Sequence, residues 1–86
     1  MSKHERLLEL ILQGRSDANI AFSDLCGLLR HFGFEERTRG SHHIFRRSGV
    51  QERINLQRDG AHARPYQVKQ VRSVILRHKL GGDPSV

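Results

Sequence analysis

After Gly33 the spacing of apolar residues changes from a helical to an alternating period, and this switch constrains the fold more than any other feature of the chain. Phe34 to Arg39, His42 to Arg47 and Glu52 to Gln57 each read as a short strand. The first junction is Gly40-Ser41 and the second contains Ser48-Gly49, both suited to tight turns, so the three segments pair as an antiparallel meander. In the third segment Ile54 and Leu56 fall on one face while Arg53, Asn55 and Gln57 fall on the other, as in a sheet covered on one side only.

The cover must come from helices. Leu7, Leu8, Ile11 and Leu12 recur at helical spacing between Lys3 and Gln13, and Gly14 follows as a stop. Gly14 to Asn19 is polar and turn-prone, a connector. A second helix is expected to begin with Ser23 as its cap and Phe22 packed just before it; Leu25, Leu28, Leu29 and Phe32 form its apolar stripe and Gly33 ends it. Cys26, inside this helix, reads as buried packing, because nothing nearby would lower its pKa. Beyond the polar loop Arg58 to Arg64, Pro65 suits the first position of a final helix running to about Leu80, with Val68, Val71 and Ile75 inward and Gly81-Gly82 as its end.

The order helix, helix, three strands, helix predicts an α+β fold of two layers, a three-stranded antiparallel sheet with helices on one face. Residues 1–19 are expected to form an N-terminal helix and connector, 20–80 the main domain and 81–86 a flexible tail. A hydrophobic content of 36% in 86 residues is enough for one modest core. No run of strongly apolar residues exceeds three, which excludes a membrane span, and the start of the chain lacks a small-residue cleavage site. A single cysteine allows no internal disulfide, so a reducing cytoplasm is the expected location.

The net charge of +6 is distributed unevenly. Residues 1–34 carry equal numbers of acids and bases, so the whole excess lies in residues 35–86. Such asymmetry points to a face that binds a polyanion, the alternative being a solvated basic surface without a ligand. Within the last helix, Lys69 and Arg72 lie one turn apart near its amino end, with Arg64 just outside; they read either as a phosphate clamp or as a solvated helix face. Aromatic residues are too few for an extended platform on which bases stack.

Six histidines are present, and His42, His43 and His62 stand where elements begin. Neighbours alternate across a strand, so His42 shares a face with Ile44 and Arg46, and His43 shares the other with Phe45 and Arg47. If Phe45 anchors the core, His42 and Arg46 look outward, a proton carrier beside a cation able to grip phosphate. Cleaving RNA without a metal needs a base for the 2′-hydroxyl, donors for the crowded phosphate and an acid for the leaving oxygen. Histidine among arginines supplies the first two; His43, His62 or water could supply the third. Two histidines on opposite faces are poor joint ligands, and no CxxC or HExxH pattern accompanies them, so no metal or other cofactor is expected. Ser41 lacks a recognisable triad partner and reads as a turn residue.

A helix ending Leu28-Leu29-Arg30-His31-Phe32-Gly33-Phe34 is followed by Arg39-Gly40-Ser41-His42-His43-Ile44-Phe45-Arg46, then Asn55-Leu56-Gln57 and Pro65-Tyr66-Gln67-Val68-Lys69-Gln70-Val71-Arg72. In this order, over roughly residues 20 to 80, the chain resembles the HicA toxin family. The resemblance implies a fold similar to double-stranded RNA-binding domains and an mRNA interferase, an endoribonuclease that cuts messenger RNA and arrests translation. It also implies neutralisation by a HicB-like antitoxin, and it makes His42, the histidine of Gly-Ser-His, the catalytic residue, with His43 second. Beside it, geometry gives Gly40 to the turn, Ser41 to fixing that turn or a phosphate, and Arg46 to the substrate. Arg39, Arg46, Arg64, Lys69 and Arg72 are the expected RNA-binding residues. The helix Lys3 to Gln13 extends the minimal family fold, for packing, antitoxin docking or self-association. Messenger RNA and an antitoxin protein are the expected partners, with no direct DNA contact, and the chain is expected to be a monomer or weak dimer. The rival reading is a non-catalytic RNA-binding module of the same fold.

Overall fold

The computed structural model describes residues 2–81. Helix α1 (Lys3–Gln13) leads through a short 3-10 turn (Asp17–Asn19) to α2 (Phe22–His31), then to strands β1 (Glu35–Arg39), β2 (His42–Arg47) and β3 (Val50–Gln57), and last to α3 (Pro65–His78). The strands form one antiparallel sheet in the order β1-β2-β3. This is the two-layer α+β arrangement that the periodicity switch predicts.

Sequence chemistry accounts for the element ends. Ser2 caps α1 by accepting a hydrogen bond from the Glu5 amide at 3.2 Å, and Gly14 ends the helix in the left-handed conformation with φ +72°. Helix α2 starts one residue earlier than its expected Ser23 cap. Phe22 is already helical because the loop before α3 satisfies its amide: the Phe22 N–H donates to the Ala61 carbonyl at 2.9 Å, beside a bridge between Ala21 and His62. Ser23 is left exposed. Strand β3 begins at Val50 rather than Glu52, because the Ser48-Gly49 turn lets Val50 pair with Arg47 at once. Pairing then jumps to Phe45 with Ile54, so Gln51 to Arg53 stand opposite Arg46 alone as a bulge. Helix α3 stops at His78, with Lys79 and not a glycine taking the left-handed cap at φ 53°. Most of the tail expected over residues 81–86 lies outside the described residues.

One core joins both layers. Phe45, Ile54 and Leu56 project from the inner face of the sheet, and Leu25, Leu28 and Leu29 of α2 and Val68, Val71 and Ile75 of α3 complete the cluster. Each fully buried side chain of this size contributes about 1.5–3 kcal/mol relative to exposure. Leu7 and Ile11 bring α1 into the same core, and α1 packs against both α2 and α3. Gln67 is a buried polar residue of α3 that apolar periodicity does not reveal. Its side chain accepts from the Arg64 amide at 3.1 Å and donates to the Gln57 carbonyl at 2.9 Å, which ties the start of α3 to the end of β3.

Candidate functional site

The face of the sheet turned away from the helices carries the exposed side chains of Arg37, Arg39, His42, Arg46, Arg53, Asn55 and Gln57 around a half-buried Ile44. Register aligns them in rows: Arg39 beside His42 beside Gln57, and Arg37 beside Ile44 beside Asn55. Arg37, Arg39, Ile44, Arg46 and Arg53 line an open groove of about 360 Å³, with Thr38 at its edge. Among the described residues none of these four arginines is in an ion pair, whereas Arg30, Arg64, Arg72 and Arg77 all are. Unpaired, exposed guanidiniums keep their forks free for phosphate oxygens. Glu35, next to Arg46, is the only carboxylate on this face among the described residues.

His42 opens β2 directly after the Gly40-Ser41 turn, where Gly40 adopts φ +60°, a conformation with little penalty only for glycine. Its ring is exposed, and its Nδ1 lies 3.3 Å from Asn55 Oδ1. Ser41 is exposed in the turn, and its carbonyl accepts from the Arg58 amide at 2.8 Å, extending the sheet ladder one step past His42. Because Gln57 pairs with His42 and is held by Gln67, the first turn of α3 sits at the His42 end of the sheet.

His43 is on the other face. Its Nδ1 lies 2.7 Å from Glu36 Oε2, and its ring stands edge-on to Phe22 with 5.1 Å between centroids. Glu36 also accepts from Arg30. Burial acts to raise the Glu36 pKa, but the hydrogen bonds from His43 and Arg30 outweigh it and hold the carboxyl below its ordinary value. Cys26 completes this inner cluster, with the thiol, carboxylate and imidazole ligand atoms within 4.8 Å of one another. The donor set suits a thiophilic cation, but its present chemistry is that of a packed network. Burial first, then the nearby Glu36 charge, pushes the Cys26 thiol up to about 11, and both Glu36 oxygens already accept hydrogen bonds.

The phosphate clamp expected on α3 is not assembled as the spacing suggests. Lys69 is exposed, but Arg72 is turned under the chain, donating to both carboxylate oxygens of Asp17 at 3.0 and 3.2 Å and to the Ile11 carbonyl at 3.0 Å. A guanidinium engaged in this way does not present its fork to a ligand. Arg64 stays at the surface and pairs with Asp59. His62 is exposed on the loop before α3. Arg37, Arg53 and Asn55 belong to the His42 face without having been singled out from the sequence as binding residues. The alternation of β1 and β3 carries the signal, once register sets those strands on either side of β2.

Residues 22–78 match the family described as HicA toxin of bacterial toxin-antitoxin. The chain belongs to the HicA toxin family. It is thus of the toxin kind within a bacterial toxin-antitoxin pair, and α1 with its connector lies before the matched region. No curated protein and no solved structure matches the chain at a significant level. No helix among the described residues is long and apolar enough to cross a membrane.

Proposed function

We propose that this HicA-family chain is an endoribonuclease that cuts messenger RNA without a metal ion, acts in the cytoplasm to inhibit translation, and is silenced by a HicB-like antitoxin. The observation that carries the reading is the placement of an exposed histidine, His42, on an open sheet face among four arginines that have no ion-pair partner among the described residues. With Glu35 as the sole carboxylate of that face among the described residues, it offers phosphate ligands rather than the oxygen cage a hard cation needs.

In this mechanism the neutral His42 imidazole removes the proton of a 2′-hydroxyl. The 2′-oxygen forms its bond to phosphorus as the bond from phosphorus to the 5′-oxygen breaks, and the leaving oxygen takes a proton from water. The products are a 2′,3′-cyclic phosphate and a 5′-hydroxyl end. Arg39, the register partner of His42 across the sheet, stabilises the charge that builds on the phosphate oxygens, and Arg46, four residues along β2 on the same face, grips a neighbouring phosphate. Arg37 and Arg53 hold the adjoining backbone, and Lys69, exposed near the start of α3, meets the strand beyond it, while Arg64 stays engaged with Asp59. Ser41 and Gly40 set the turn that aims His42. His43, across the sheet, supports the fold through Glu36, and Arg72 supports it through Asp17. An antitoxin acts by covering the His42 face and competing with RNA.

Induced expression of the chain in a bacterial host is expected to halt protein synthesis and fragment messenger RNA. Intact messages and unchanged synthesis at a comparable level of soluble protein would contradict the reading.

A further inference from the structure

We infer that Asn55 is a positioning residue that selects the tautomer of His42, holding the proton on Nδ1 and leaving the lone pair on Nε2 for the substrate. The inference rests on His42 being the base of the proposed reaction. A neutral imidazole carries one proton and one lone pair, and the hydrogen bond at one nitrogen decides what the other can do. Among the described residues the Asn55 carbonyl oxygen is the one hydrogen-bond partner of the His42 ring, at 3.3 Å from Nδ1, and Nε2 has none. An oxygen there accepts from Nδ1–H, so the exposed nitrogen is the basic one.

Asn55 is well built for this task. It sits in the middle of β3 between Ile54 and Leu56, whose side chains are fully buried on the opposite face, so the sheet fixes where its own side chain emerges. Its register partner is Ile44, which puts it diagonally across from His42 on the same face. A side chain carried by a strand is placed more accurately than one on a loop. An amide orients the ring and sets the tautomer without placing a carboxylate charge beside it. The 3.3 Å separation is at the long end for such a bond, as is common before a substrate closes the site.

The test reads the tautomer directly and needs no RNA. Long-range proton–nitrogen correlation spectra of the His42 ring are recorded on the alkaline side of its titration, for the wild type and for Asn55→Ala and Asn55→Asp. The wild type is expected to carry its proton on Nδ1, and Asn55→Ala to revert to the Nε2–H form that a free histidine side chain prefers. With an RNA substrate, Asn55→Ala should lose about tenfold in kcat with KM almost unchanged, the size of one hydrogen bond that orients a catalytic group. Asn55→Asp keeps the acceptor, so it should keep the Nδ1–H form, recover most of the rate and move the acid limb of the rate profile to higher pH. A wild-type ring protonated on Nε2, or an unchanged kcat in Asn55→Ala, would overturn the inference alone if His42→Ala is inactive. Full cleavage by His42→Ala would overturn the reaction reading and the inference with it.

Discussion

Arg72 and Asp17 stand 55 positions apart in sequence and are joined by two hydrogen bonds, from Nη1 at 3.0 Å and Nη2 at 3.2 Å. The same Nη1 also donates to the Ile11 carbonyl near the end of α1. Both partners lie before residue 22, where the family match begins, whereas Arg72 lies inside it. One guanidinium thus bonds the N-terminal extension to the family domain, and Leu7 and Ile11 complete the union through the core.

Arg72→Ala should therefore damage stability and leave RNA affinity alone. With the Arg72 and Asp17 side chains 19% and 13% exposed, the pair is mostly withdrawn from water. Removing one member should cost about 2–3 kcal/mol, below the full penalty for a wholly buried pair. Urea unfolding measures the loss, and a cycle with Asp17→Asn should show strong coupling between the two sites.

RNA binding should respond to the outer-face arginines in a way that identifies them as phosphate contacts. Arg37→Ala, Arg46→Ala and Arg53→Ala should each lower affinity for unrelated single-stranded sequences alike and reduce the salt slope by about 0.7 per contact removed. Arg77→Ala should leave the slope unchanged, because that side chain is paired with Glu52 at 3.0 Å. A titration over salt concentration with inactive His42→Ala as the background distinguishes the two groups of arginines.

The Glu36 network predicts an acid-side dependence of stability. Burial opposes ionisation, but His43 and Arg30 together hold the Glu36 carboxyl below its ordinary 4.5. A lowered folded-state pKa contributes stability that is fully present above 4.5 and is lost as pH falls through the lower folded value. Glu52, held low chiefly by its hydrogen bond from His78, acts in the same direction. Glu36→Gln should be less stable by about 1–2 kcal/mol at pH 7, and the gap from wild type should close below the ordinary carboxylate range. A gap that widens on acidification would contradict this assignment. Unfolding curves at a series of pH values decide it.

The sheet was legible in the sequence because its turns are marked by glycines and its strands alternate, so β2 falls at its expected bounds and His42 on its expected face. The start of α2 was not, since the partner of the Phe22 amide is a carbonyl 39 residues further on and no local pattern records it. The engagement of Arg72 is hidden from the sequence for a related reason. Helical spacing from Lys69 puts it on a basic stripe, and only the tertiary approach of Asp17 shows that the stripe is divided between solvent and structure. Asn55 was visible as an outward residue of β3, but its tie to His42 depends on a register that the sequence leaves open.

The central claim is that His42 is the base of a metal-independent cleavage. Purified wild type and His42→Ala, both checked for fold by circular dichroism, are incubated with labelled messenger RNA in excess EDTA, and the new ends are identified chemically. The account predicts cutting by the wild type to 2′,3′-cyclic phosphate or 3′-phosphate and 5′-hydroxyl ends, slowed by about 100-fold or more in His42→Ala. Undiminished cutting by His42→Ala, or 3′-hydroxyl and 5′-phosphate ends from the wild type, would contradict it.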